Sequence, residues 1–322
     1  MKKAAIILLL TLTTFLSFGQ TKVGLLFDQF ASVRWKNDAR FLEENFSEQG
    51  VETILKVAHS SLDKQLEQTQ ELIDEGVKAI VIVAVDGTNS EKIVSLAKAN
   101  KVLVVAYDRP VMDENVDIYV SYNGLECGRQ QAKSMVNGIK EGNIIMINGP
   151  VSDINGIQFR EGQLEVLQPY IDEGRINVKG DWVLDSWNEM SALMKFYEET
   201  PDLSEIDGVL SAADWFNDAL NEYAENDPLV DNIYKTGMDP TIDTIDKIKK
   251  GTQNMSIYKP LEPLAEKAVE LTMAKLNDKD AEIAEIQIMD LTFHGYLFDP
   301  IVIDKDNASN FASKLQKSVV AE

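Results

Sequence analysis

Short apolar runs rich in β-branched residues recur along the chain at 23–27, 79–84, 102–106, 143–147, 208–211 and 257–258, and longer stretches with helical periodicity separate them. In 62–73, for example, Leu62, Leu66, Leu72 and Ile73 fall on one helical face while Asp63, Lys64, Glu67 and Glu71 lie elsewhere. Runs that are apolar at consecutive positions need cover on both faces, which helices between parallel strands provide. The alternation therefore predicts an α/β protein built of doubly wound parallel sheets. About 300 residues remain beyond the first twenty, more than one such core usually holds, so two lobes are expected.

No low-complexity linker or tandem repeat divides the chain, so several strand crossings are expected to join the lobes as a multi-strand hinge. The candidate crossings are 120–125, the strand before Tyr258 and Lys259, and 290–298. Residues 21–123 plus 259–291 then form the first lobe, and 124–258 plus 292–322 the second. Segments of this kind permit closure while limiting its direction. Residues 1–20 read as a signal peptide: Lys2 and Lys3, an apolar run at 4–18 with threonines and a serine, then Gly19 to Thr21, with cleavage near 19–20. The run is shorter than the roughly 20 residues of a membrane span, and no cysteine near the cleavage point offers a lipid attachment.

The formal charge is −22 and becomes more negative once Lys2 and Lys3 are removed, with a pI near 4.5. Such a surface repels nucleic acid and anionic lipid. Cys127 is the only cysteine, so no intrachain disulfide can form. It sits in a helix-like stretch, where a small buried residue is expected.

Ligands in open parallel sheets bind beyond the carboxyl ends of the strands, so the residues that follow each apolar run carry the functional reading. Asp28 follows the first run, with Arg34 and Trp35 opening the next helix; Tyr107, Asp108 and Arg109 follow another. Further on come Asp153, Asn155 and Arg160, then Asp185 and Trp187, Asp214 and Trp215, Met238 and Asp239, and Lys259. Carboxylates accept hydrogen bonds from hydroxyls, Arg and Lys donate to hydroxyl and ring oxygens, and indole faces suit the C–H face of a sugar ring. A single Asp or Asn after a strand is often only a helix cap. Charged residues converging from two facing sheets would be costly to bury without partners or a ligand, which favours a binding cleft.

At Arg34-Trp35, Ala106-Tyr107-Asp108-Arg109, Phe159-Arg160-Glu161-Gly162-Gln163, Pro169-Tyr170, Gly251-Thr252-Gln253 and Tyr258-Lys259-Pro260 the chain resembles the periplasmic sugar-binding proteins of the ribose and galactose type, and most of all the xylose-binding proteins. The order and spacing agree over nearly the whole chain after the leader. The resemblance implies a type I periplasmic binding protein fold, a periplasmic location and a monomer that needs no cofactor or metal. It implies capture of a monosaccharide, D-xylose first, and delivery to the membrane permease of an ABC transporter. Carried over by position, it implies sugar contacts from Arg34, Trp35, Asp108, Arg109, Asn155, Arg160, Trp187, Asp214, Asp239 and Lys259. Two positions depart from the pattern: Ala213 stands where an amide is usual, and Met238 where a polar residue often precedes the later Asp.

An enzyme would have only His59 and His294 as histidines, with no HExxH, GxSxG or GxxxxGK motif; carboxylates beside Arg and Lys make poor general acids. A sugar-responsive transcription factor would need an N-terminal DNA-binding helix-turn-helix where this chain has a leader. A receptor that signals to a membrane sensor kinase would bind in the same way, and the sequence leaves permease and kinase both open. The acidic segment Asp304-Lys305-Asp306-Asn307 lacks the central Gly and distant Glu of a calcium loop and is expected to cap a helix near Ala308.

Overall fold

In the computed structural model, which describes residues 20–317 apart from 31 and 226, the leader predicted at 1–20 lies almost wholly outside the described residues. The first part of the chain alternates β1 (Lys22–Phe27), α1 (Val33–Glu48), β2 (Glu52–Val57), α2 (Leu62–Asp74), β3 (Ala79–Ile82), α3 (Glu91–Ala99), β4 (Leu103–Tyr107) and β5 (Ile118–Tyr122). The middle continues with α4 (Gly124–Ile139), β6 (Gly142–Asn148), α5 (Ile154–Asp172), β7 (Ile176–Val183), α6 (Glu189–Glu199), β8 (Gly208–Ser211), α7 (Asp214–Tyr223), β9 (Tyr234–Lys235), α8 (Ile242–Lys250) and β10 (Met255–Tyr258). The last part is α9 (Leu261–Leu276), β11 (Ala284–Ile288), β12 (Leu291–Phe298), β13 (Ile301–Asp304) and α10 (Ala312–Lys317).

The first lobe is a seven-stranded sheet in the order β11-β12-β5-β4-β3-β1-β2, parallel except for the β11–β12 pair. Successive residues of β1 point to opposite faces: Val23, Leu25 and Phe27 join the layer formed with α1 and α9, and Leu26 joins the layer formed with α2 and α3. All four are fully buried, each worth about 1.5–3 kcal/mol of removed apolar surface. The second lobe is a parallel sheet in the order β7-β6-β8-β9, covered by α4 and α5 on one face and by α6 and α7 on the other. A parallel bridge from Met238 to Ile257 extends it to β10, which pairs antiparallel with β13. Doubly wound lobes are thus present on both sides.

The chain passes between lobes at 122–124, 258–261 and 298–301, and these passages are tied together. The Asn123 amide donates to the Phe298 carbonyl at 2.9 Å and the Tyr122 hydroxyl to the Pro260 carbonyl at 2.6 Å. The sequence places residues from 292 on in the second lobe, whereas β12 pairs in parallel with β5 and antiparallel with β11, so the chain stays in the first-lobe sheet through Phe298. The segment Leu-Thr-Phe-His-Gly-Tyr-Leu-Phe alternates and is only half-buried, which hides a strand that closes a sheet between two neighbours. The turn after Asp304 also differs in detail. Asn307 accepts from the Asp304 amide and donates to the Val302 carbonyl, so its side chain is spent on the loop and does not cap the short helix at Ala308.

Candidate binding cleft between the lobes

The carboxyl ends of the two sheets face one cavity. It is lined from the first lobe by Gln29, Ser32, Arg34, Trp35, Asp108 and Arg109, and from the second by Asp153, Asn155, Phe159, Trp187, Ala212, Ala213, Trp215, Met238 and Asp239, with Lys259 at the crossing. Its volume is about 60 Å3, room for roughly four or five water-sized groups at about 10–15 Å3 each.

Each lobe aims one carboxylate inward by the same backbone device. Asp108, after β4, and Asp239, after β9, both take φ of 61°, the left-handed region that Asp tolerates better than most residues. The Asp108 amide donates to the Val120 carbonyl and the Asp239 amide to the Ile257 carbonyl, both at 2.9 Å. Asp108 is held further through its own carbonyl, which accepts from Ser121 Oγ at 2.6 Å and from Asn155 Nδ2 at 3.1 Å. Asn155 therefore reaches across the cleft to the opposite wall.

Two cationic side chains bridge the lobes. Arg34 donates to Asp108 and, at 3.2 Å, to Asp239, while Lys259 Nζ lies 3.4 Å from the other Asp239 oxygen. Arg109 is clamped by Asp28 at 2.8 Å, the Ala84 carbonyl at 2.9 Å and Asp153 at 3.0 Å. Burial works against the Arg34 charge, but Asp108, Asp239 and Asp38 outweigh it and raise its pKa well above the ordinary value. Burial would also lift the Asp108 carboxyl; Arg34 and then Lys259 overcome that and hold it below the usual carboxylate value. For Asp153 burial wins over Arg109, and its pKa is raised. Three cations thus stand among five carboxylates, Asp28, Asp38, Asp108, Asp153 and Asp239, so an anionic ligand would meet net negative charge.

The aromatic residues are fixed in two ways. Trp35 packs edge-on against Phe27 with the Arg34 guanidinium 4.5 Å over its ring. Trp187 donates Nε1 to Asp153 at 2.9 Å and stacks on Phe216 at 5.9 Å. It also lies against Gly149, where an added Cβ would come within 2.2 Å of the indole, so only glycine fits there. Trp35 thus comes from the first lobe, and Trp187 and Trp215 from the second.

Eight of the ten residues expected from sequence line the cavity: Arg34, Trp35, Asp108, Arg109, Asn155, Trp187, Asp239 and Lys259. Arg160 and Asp214 do not. Five residues beyond Asn155 on α5, Arg160 is turned about 140° away at 100° per residue, and its guanidinium pairs with Asp181 on β7 instead. Asp214 is buried beneath the wall, where Gln253 Nε2 donates to Oδ1 at 2.5 Å and Ser256 Oγ to Oδ2 at 2.8 Å. Its carboxyl packs so closely on Gly237 that a Cβ there would lie 1.7 Å from Oδ1, and its amide donates to the Met238 carbonyl at 3.0 Å. Asp214 thus supports the segment that carries Asp239. Phe159 lines the cavity without having been singled out, although its place four residues after Asn155 on α5 is the signal that puts it on the same helical face. Asp153, read from sequence only as a residue after a strand, caps α5 by accepting from the Asn155 amide and also holds Arg109 and Trp187. Cys127 is fully buried and burial pushes its thiol up to about 12, as befits an inert core residue.

Two α/β lobes joined by three crossings, with charged and aromatic groups facing one interlobe cavity, define a cleft-binding receptor of the type I periplasmic binding fold. The model of the periplasmic binding protein domain matches residues 23–280, and the chain belongs to that family. It is 30% identical over 318 residues to the D-xylose-binding periplasmic protein of Haemophilus influenzae, covering 97% of this chain and 96% of that one. It is 28% identical over 317 residues to the multiple sugar-binding periplasmic receptor ChvE of Rhizobium radiobacter, covering 88% and 87%. Among solved structures it is similar to a carbohydrate transporter solute-binding protein from Chloroflexus aurantiacus in complex with D-glucose, with a TM-score of 0.84, 22% identity, and 92% and 96% coverage. No helix among the described residues is long and apolar enough to cross a membrane.

Proposed function

We propose that this protein is a periplasmic receptor that closes around one neutral monosaccharide, D-xylose, and presents it to the permease of an ABC transporter, acting on it without chemistry. The observation that carries the reading is the paired charge bridging both lobes: Arg34 between Asp108 and Asp239, and Arg109 between Asp28 and Asp153. A ring dense in hydroxyls can donate to the carboxylates and accept from the cations at once, and the excess of carboxylates favours a ligand without negative charge. Indole rings from both lobes, Trp35 and Trp187, support a ring with an apolar C–H face. Every carboxylate lining the cavity is already paired with Arg or Lys, an arrangement unsuited to a general acid.

A ligand can favour closure only by as much as it prefers the closed form, and a sugar touching both lobes has that preference built in. Relatives named for D-xylose and for multiple sugars make the pentose the first choice within the sugar class. Calorimetric titration with D-xylose, D-ribose, L-arabinose, D-glucose and D-galactose tests it. One-to-one binding with D-xylose tightest is expected; a different sugar binding most tightly overturns the xylose assignment, and silence from all five overturns the receptor reading.

A further inference from the structure

Between β6 and the first turn of α5, four consecutive residues of the second lobe each reach the first lobe by a different means. The Ser152 carbonyl accepts from the Gly87 amide at 2.9 Å, Asp153 pairs with Arg109 at 3.0 Å, and Asn155 Nδ2 donates to the Asp108 carbonyl at 3.1 Å. Ile154 is buried and joins the first-lobe apolar layer that holds Ala84 and Val111. A second-lobe side chain thus completes the core of the opposite lobe. Asp153 and Asn155 line the sugar cavity, whereas Ser152 and Ile154 do not.

The receiving side is organised by its own residues. One Asp86 carboxylate oxygen accepts from the Thr88 amide at 2.9 Å, the Thr88 hydroxyl at 2.7 Å and the Asn89 amide at 3.1 Å, the local bonding by which Asp fixes a turn. Gly87 sits in that turn, and its carbonyl accepts from the Met112 amide at 2.8 Å. A Cβ on Gly87 would lie 2.4 Å from the Pro110 carbonyl oxygen and 3.7 Å from Ile154 Cγ1. Glycine therefore lets the two first-lobe segments close into the socket that faces Ile154.

We infer that Ser152 and Ile154 are positioning residues that latch the closed lobes without touching the sugar, so that affinity and selectivity are set by different residues. The inference rests on the receptor reading of the cavity. Opening the lobes returns Ile154 and the Gly87 amide to water, and closing buries both again whichever sugar is held. A contact made only in the closed form shifts the equilibrium toward it. Because this contact never meets the ligand, it adds the same amount for every ligand.

The test is calorimetric and stopped-flow titration of the mature chain, as wild type and as Ile154→Ala, with D-xylose, D-ribose, L-arabinose, D-glucose and D-galactose. For each sugar that the wild type binds, Ile154→Ala should weaken binding by a common factor of about tenfold or more. The loss should lie in faster release with association unchanged, and the order of preference should be kept. Ile154→Val, which removes one methylene, should weaken each sugar by about fourfold and carries the test if the alanine variant fails to fold. Unchanged affinity in a folded variant, a loss that differs among the sugars, or a loss carried by slower association refutes the latch and leaves the receptor reading standing. If the wild type binds none of the five sugars, the receptor reading falls and the latch with it.

Discussion

The two walls of the cleft bring different chemistry to it. The first lobe presents the half-buried Arg34 with the buried Asp108 and Arg109, all three paired; the second answers with Asp153, Asn155 and Asp239 but fills the rest of its face with Phe159, Trp187, Ala212, Ala213, Trp215 and Met238. Behind each wall sits one buried carboxyl pushed up to about 7 by burial. Asp38 lies under Arg34 and accepts from the Tyr107 hydroxyl at 2.5 Å, whereas Asp214 has only neutral donors around it. On the proposed reading, the first wall fixes orientation through charge and the second sets which edge of the ligand is tolerated, because an apolar face cannot satisfy a hydroxyl turned toward it.

Removing the charge that joins the walls should have the largest effect. Arg109→Ala leaves Asp28 and Asp153 buried without their cation, which should cost about 3–5 kcal/mol of stability and, in titrations, at least about 100-fold in sugar affinity. An unchanged affinity would show that the bridge is structural only. Next comes the apolar wall. Ala213 stands at the N-cap of α7 without a side-chain cap bond, and Ala213→Asn returns an amide to the face. The preference among the five sugars should then change by about tenfold, the worth of one matched hydrogen bond of roughly 1.5 kcal/mol. A melt raised by about 1 kcal/mol with unaltered preference would mean that the new amide caps the helix.

The supporting carboxyl of the second wall gives a smaller, pH-dependent effect. Its pKa is raised on folding, so the stability it contributes is fully present below its unfolded value near 3.9 and lost as pH rises through about 7. Asp214→Asn removes that dependence while keeping an acceptor for Gln253 and a donor for Ser256. Relative to this variant, the wild type should lose stability between about pH 4 and pH 7 in thermal melts; a difference constant with pH would show that Asp214 does not titrate there. The smallest effect belongs to Arg160→Ala. Its half-exposed pair with Asp181 is worth at most about 1 kcal/mol, and sugar affinity should not move.

The sequence was most legible where burial is two-sided. Runs such as 79–84 and 143–147 are apolar at consecutive positions because helices cover both faces of β3 and β6, and the residues just beyond such strands supplied most of the cavity. It was least legible where one face is solvated. β2 and β12 are only partly buried, so β12 reads as a crossing in sequence and the lobe boundary falls too early. Within the site, Arg160 failed through helical phase and Asp214 through depth. Both follow the right strand, but one turns outward on α5 and the other inward beneath Gly237. Neither distinction is carried by residue type, since Arg and Asp suit a ligand, a surface pair or a buried support equally well.

The most direct test of the central claim is a crystal structure grown with D-xylose. The sugar ring is expected in the interlobe cavity, within hydrogen-bond distance of side chains from both lobes, Arg109 and Asp239 among them. A cavity holding only water, or a sugar bound to one lobe alone, would contradict the account.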